Sequence, residues 1–222
     1  MDIHFDEQLR EVKKDILQMA AMVSDSINKA LEALKKRDIK EAMQIREIDR
    51  QIDKLEISIE EKCVELIARH QPVGADLRFL VGVIKMNNDL ERMGDHAVNI
   101  ADCIKFLTEQ PRIRPASLIW SMAKSVIEML RDSVDSFMTN DAQNAQKICA
   151  RDSVVDEMRN DTTRIMLTHM LEQPEKIGAA LQYISVARNL ERIADLSTNI
   201  CEDTIYIAQA RIIKHHAEEK RK

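Results

Sequence analysis

Apolar residues recur at steps of three and four along almost the whole chain. Between about Asp6 and Lys36 they fall at Leu9, Val12, Ile16, Met19, Val23, Ile27, Ala30 and Leu34, which is one face of a helix and not the alternation of a strand. Arg37-Asp38 reads as a tight connection, with Asp38 placed to cap the next helix. The second helix is predicted from about Ile39 to Arg69, on Ile45, Ile48, Ile52, Leu55, Ile59, Cys63 and Leu66. It stops at Gln71-Pro72, because a residue before proline avoids the helical region. A third helix is predicted from about Ala75 to Glu109, and Pro111 and Pro115 bracket the clearest linker.

The second half replays the first. Helices are predicted from about Ala116 to Met138, from Asp141 to about Glu172, and from near Glu175 towards His215. Asp49 and Asp53 recur as Asp152 and Asp156, 103 positions on, and Gln71-Pro72 recurs as Gln173-Pro174, 102 on. Small drift with preserved order is the mark of an internal duplication. The expected fold is all-α: two tandem antiparallel three-helix bundles, residues 1–110 and 116–215, with a basic tail at 216–222. An elongated six-helix array is the favoured arrangement.

Composition agrees with the pattern. Of 222 residues 45% are hydrophobic and 32% charged, with only four Gly, four Pro and seven aromatics (one Trp, two Tyr, four Phe), a helix former's usage. The net charge of −5 makes nucleic acid an unpromising partner. Basic residues gather locally from Arg211 to Lys222, which reads as a solvated helix end. No apolar run approaches about 18 residues, so no membrane span is expected. The acidic N-terminus does not resemble a signal peptide. Cys63, Cys103, Cys149 and Cys201 form no Cys-x-x-Cys and read as small buried residues of a reducing compartment. A cytoplasmic protein is expected. The twelve methionines read mostly as adaptable core fillers.

The candidate chemistry lies in carboxylate rows. Glu91, Asp95 and Asn99 recur as Glu191, Asp195 and Asn199, 100 positions later. A Glu-x-x-x-Asp-x-x-x-Asn row sets oxygen donors along one helix stripe. If the second and third helices are antiparallel, Asp49 and Asp53 face the first row, and Asp152 and Asp156 the second. Like charges four apart repel, and burying them needs a compensating cation. All-oxygen donors suit hard or borderline metals: magnesium, manganese, calcium or iron. Carboxylates four apart are common here, as at Glu56/Glu60 and Glu128/Asp132, and most such pairs are solvated. Recurrence in both halves singles out the chosen rows. Arg92 and Arg192 point about 100° away from the adjacent glutamates, so they are expected to bridge to other helices. His96, with Leu196 at its counterpart, reads as a packed or exposed histidine.

No histidine has a glutamate three residues before it, which argues against a ferritin-like di-iron oxidase. No Gly-x-Ser-x-Gly, Gly-rich phosphate loop or His-Glu-x-x-His occurs. A metal-dependent enzyme using the carboxylate rows and a bare helical scaffold both stand as readings of these residues.

The doubled three-helix plan resembles the PhoU family. The likeness is carried by Asp-x-x-x-Asp on the second helix of each unit, residues 69–78 with 89–100, and residues 187–200. It implies a non-enzymatic negative regulator of phosphate uptake and of phosphate-starvation signalling. The implied partners are the ATPase subunit of the phosphate ABC transporter, the phosphate-sensing histidine kinase and a second copy in a homodimer. It also implies metal binding, chiefly multinuclear iron clusters, with magnesium, manganese, calcium, zinc or nickel as alternatives. The implied ligands are Asp49, Asp53, Glu91, Asp95 and Asn99, then Asp152, Asp156, Glu191, Asp195 and Asn199. Some relatives of this kind could serve other phosphate carriers.

Overall fold

The computed structural model describes residues 3–113 and 117–209, and every regular element in them is helical. The first unit comprises α1 (Ile3–Lys36), α2 (Ile39–His70) and α3 (Gly74–Leu107). The second comprises α4 (Ser117–Thr139), α5 (Ala142–Cys149), α6 (Asp152–Glu172), a short 3-10 turn (Pro174–Lys176) and α7 (Ile177–Gln209). The basic tail and the expected extension of the last helix to His215 lie outside the described residues.

The connections repeat as closely as the helices. Arg37 takes a positive φ of 56°, and the Asp38 amide donates back to Ala33 O at 3.0 Å, which closes the end of α1. Asp38 then caps α2, its Oδ1 accepting from the Lys40 and Glu41 amides. In the second unit Asn140 has the same φ of 56°, the Asp141 amide donates to Ser136 O at 2.9 Å, and Asp141 caps α5. Arginine is an unusual left-handed residue. Here its guanidinium is anchored, donating to Leu107 O at 2.6 Å and Gln110 O at 3.0 Å, so it also finishes α3.

Where periodicity predicts one helix from Asp141 to Glu172, the structure has two, parted at Ala150-Arg151. The hydrogen bonds tighten there: Arg151 N donates to Ile148 O at 2.9 Å and Val154 N to Arg151 O at 3.1 Å. The break has a tertiary cause. Arg151 turns towards α4, its Nη1 2.8 Å from Asp132 Oδ2 and its Nη2 3.2 Å from Glu128 Oε2. The corresponding residue of the first unit is Ile48, half-buried and apolar, and α2 runs through it unbroken. Replacing Arg151 with Ala leaves two facing carboxylates without their shared cation. A loss of about 1–2 kcal/mol is expected, half-exposure moderating the ion pairs. Urea unfolding followed by circular dichroism measures it; an unchanged midpoint contradicts this account.

Within each unit the apolar stripes close on one another, burying residues such as Ile16, Ile52 and Leu90 in the first and Met129, Val155 and Ile193 in the second. Buried methionines include Met19, Met86, Met93, Met122, Met129 and Met166. The units join chiefly through α3 and α7, packed antiparallel. Gly82 permits the close approach: a Cβ there would collide with Ile207 and lie 3.2 Å from the Phe137 ring. Polar contacts fix the register, Lys85 Nζ meeting the buried Asp203 at 3.2 Å and His96 Nδ1 meeting Asn189 Oδ1 at 2.8 Å.

Candidate functional site

The antiparallel pairing of α2 and α3 is visible in two cross-links, Asn87 Nδ2 donating to Glu56 O at 2.8 Å and Arg46 meeting Asp102 at 2.7 Å. This pairing sets Asp49 and Asp53 against Glu91 and Asp95. Gly94 stands where the helices touch, its Cβ position only 3.3 Å from Asp49 Oδ1. Half-buried Asp49 is pushed up to about 6, first by burial, then by Asp53 and Asp95, with Arg46 opposing. Glu91 is also pushed up, by burial and then by Asp95, Asp53, Glu56 and Asp49. Among the described residues, none of Asp49, Asp53, Glu91 and Asp95 is in an ion pair.

The second unit assembles its counterpart between α6 and α7. Asp152 is pushed up to about 6 by burial and by Asp195, Asp156 and Glu191. This patch differs in carrying its own cations. Arg159 Nη2 lies 3.6 Å from Glu191 Oε1 and 3.8 Å from Asp156 Oδ1. Arg192 Nη1 lies 2.8 Å from Asp195 Oδ2, and its Nε 3.8 Å from Glu191 Oε2. The expectation that Arg192 bridges to another helix is therefore corrected. Its flexible stem carries the guanidinium along its own helix to an acid one turn on, which the directions of the Cβ atoms alone do not reveal.

The asparagines sit at the margins. Eight residues turn a helix about 80° beyond two whole turns, so Asn99 and Asn199 drift off the line of Glu91 and Glu191. Asn99 opens onto a groove at the α3–α7 seam with His96, Arg188 and Arg192. Asn199 opens onto another with Glu56, Lys85 and Glu202. Each remains one turn from its aspartate, within a neighbour's reach.

Two functional candidates escaped the sequence reading, Glu56 and Arg159. They occupy equivalent places, 103 positions apart. Glu56 adds negative field to Glu91 in the first patch, while Arg159 relieves Glu191 in the second. The signal was present as a sign inversion at a constant offset.

Among the described residues no three His, Cys, Asp or Glu side chains converge closely enough to enclose one ion. The donor chemistry nevertheless fits hard cations held along a surface. The groups are carboxylates, they repel one another, and in the first patch no side-chain cation pairs with them. No described helix is long and apolar enough to cross a membrane.

Together these features define a duplicated helical-bundle protein with one carboxylate patch per unit. The PhoU domain profile matches residues 16–104 and 119–204. The chain is 41% identical over 215 residues to the phosphate-specific transport system accessory protein PhoU homolog of Aquifex aeolicus, covering 96% of this chain and 97% of that one. It is 35% identical over 213 residues to PhoU homolog 1 of Thermotoga maritima, covering 96% and 92%. The crystal structure of PhoU from Pseudomonas aeruginosa superposes with a TM-score of 0.89 at 35% identity, over 93% of this chain and all 100% of that one. The phosphate transport system regulatory protein PhoU from Streptococcus pneumoniae superposes at 0.88 with 31% identity, over 95% and 99%. The chain belongs to the PhoU family.

Proposed function

We propose that this protein is a cytoplasmic, non-enzymatic adaptor that restrains phosphate uptake and phosphate-starvation signalling. It docks on the ATPase subunit of a phosphate ABC transporter and on the cytoplasmic part of a phosphate-sensing histidine kinase. The observation that carries this reading is the pair of equivalent carboxylate patches, one on each unit, in a chain whose relatives are named accessory and regulatory proteins of phosphate transport. A partner gripping both units would have its conformational populations shifted by the difference in affinity between its states.

The patches are proposed metal sites. Asp49, Asp53, Glu91 and Asp95 would hold cations on the first unit, and Asp152, Asp156, Glu191 and Asp195 on the second, with Asn99 and Asn199 at the edges. Bound iron, manganese or magnesium supplies positive charge there. The protein's own contribution is to hold two acidic rows opposite each other on rigid antiparallel helices.

The test is binding of the purified full chain to the isolated ATPase subunit and to the kinase's cytoplasmic region. Saturable binding to at least one is expected. It is expected to weaken when Glu91, Asp95, Glu191 and Asp195 are changed together to Gln and Asn. No binding to either partner, in the presence or absence of manganese, would overturn the adaptor reading.

A further inference from the structure

Two of the four cysteines meet. Cys149 is the last residue of α5 and half-buried; Cys201 is on α7 and fully buried. Cys149 Sγ lies 4.0 Å from Thr198 O, three residues before Cys201 on the same stretch of α7, and each thiol is the first influence on the other's titration, which makes the two sulfurs neighbours. The other two are placed elsewhere, Cys63 buried on α2 and Cys103 on α3 beside Ser185. The thiol pair is not part of the repeated plan. The equivalent residues of the first unit are Arg46 and Ala101 (149 − 103 and 201 − 100). Its position is also particular: α5 ends at Cys149, and the tight turn at Ala150-Arg151 follows at once. The Cys149 backbone therefore sits at a helix end, where small adjustments are least opposed.

We propose that Cys149 and Cys201 are a redox modification site, a dithiol that closes to an intramolecular disulfide when a hydroperoxide oxidises it. In the first step the Cys149 sulfur attacks one oxygen of hydrogen peroxide. An S–O bond forms, the O–O bond breaks, and the departing hydroxide takes up the thiol proton to leave as water. In the second step the Cys201 sulfur attacks the sulfenic sulfur. The S–S bond forms, the S–O bond breaks, and a second water leaves with the Cys201 proton. Two thiols lose two electrons in all, and one peroxide becomes two waters. Cys149 suits the first role because it is the more accessible sulfur and ends α5, where the backbone can adjust to the new bond. Cys201, buried against it, suits the resolving role. Disulfides of proteins in reducing compartments are characteristically transient and redox-sensing. The bond would pin the end of α5 to α7 at the turn that introduces Asp152.

The experiment treats the reduced full chain with excess hydrogen peroxide, alkylates the remaining thiols, and reads intact mass and peptide map. Two of the four thiols are expected to disappear, with a single Cys149–Cys201 cross-linked peptide that dithiothreitol reverses. Cys149→Ser is expected to keep its three remaining thiols, and Cys201→Ala to stop at a Cys149 sulfenic acid trapped by dimedone. The melting curve of reduced Cys149→Ser, expected to match that of reduced wild type, controls for folding. Four surviving thiols in the wild type, a bond involving Cys63, Cys103 or a second chain, or undiminished cross-linking in Cys149→Ser would overturn the proposal.

Discussion

Stripped of divalent cations, the protein is expected to lose stability as pH rises from below 3.8 through about 6, and to regain it at neutral pH when manganese or magnesium is added. Asp49 and Asp152 each titrate from an ordinary 3.8 in the unfolded chain to about 6 in the folded one. Between those limits the folded chain binds more protons than the unfolded chain, so stability falls with rising pH. The contribution is complete below 3.8 and gone once pH has passed through about 6. An unscreened shift of this size is worth about 3 kcal/mol per group. Both carboxyls keep contact with solvent, and screening reduces this to about 1 kcal/mol each. For a chain of this length, the pair together corresponds to a melting shift of roughly 4–8 °C. A cation that binds only the folded form at a hundred times its dissociation constant returns about 2.7 kcal/mol. The check is a set of melts across pH, with chelator or cation, on wild type and on the double variant Asp49→Asn/Asp152→Asn. The variant should show a flatter pH profile and a smaller cation response. Identical profiles would mean that the two carboxylates do not carry the linkage.

Much of this architecture was legible because the chain repeats itself. The breaks at Arg37-Asp38 and Gln71-Pro72, and their counterparts at Asn140-Asp141 and Gln173-Pro174, rest on local rules. Left-handed residues, side-chain caps and proline act within a few positions, and the structure uses each of them. The break at Ala150-Arg151 obeys no local rule. Neither residue is a helix breaker, and the turn follows from carboxylates on a different helix, Glu128 and Asp132. That Glu128/Asp132 pair looked like an ordinary solvated spacing until its partner was in place. The facing of Asp49/Asp53 with Glu91/Asp95 was legible once antiparallel helices were assumed, because the offset recurs. Arg192 was not, since a flexible arginine is placed by the acids around it. Nor was the meeting of Cys149 with Cys201, which depends on how α5 lies against α7.

Exchanging one charge between the patches is expected to exchange their affinities for cations. Glu56 and Arg159 hold equivalent places, yet one reinforces the negative field and the other opposes it. A unit charge about 4 Å away is worth about 4 kcal/mol at an effective dielectric constant of 20, and exposure to solvent leaves roughly 1 kcal/mol of that. Reversing the sign counts twice, and a divalent ion feels the change twice over. Arg159→Glu should therefore tighten divalent binding at the second patch roughly a thousandfold, and Glu56→Arg should weaken the first by a similar factor. Calorimetric titration with manganese at low salt reads both. The wild type should show a tight and a weak class of site. Arg159→Glu should merge them towards tight, and Glu56→Arg towards weak, with helicity unchanged by circular dichroism. Isotherms indistinguishable from wild type in both variants would show that these side chains do not face the cations. The expected asymmetry follows from the folded chain itself. The second unit brings arginines to its own acidic rows and can stand with its patch empty. In the first unit Arg46 only eases Asp49 from a distance, being paired to Asp102, and no described cation forms an ion pair with the patch acids. If the patches bind metal as proposed, loading of the first is expected to respond more steeply to its supply than loading of the second.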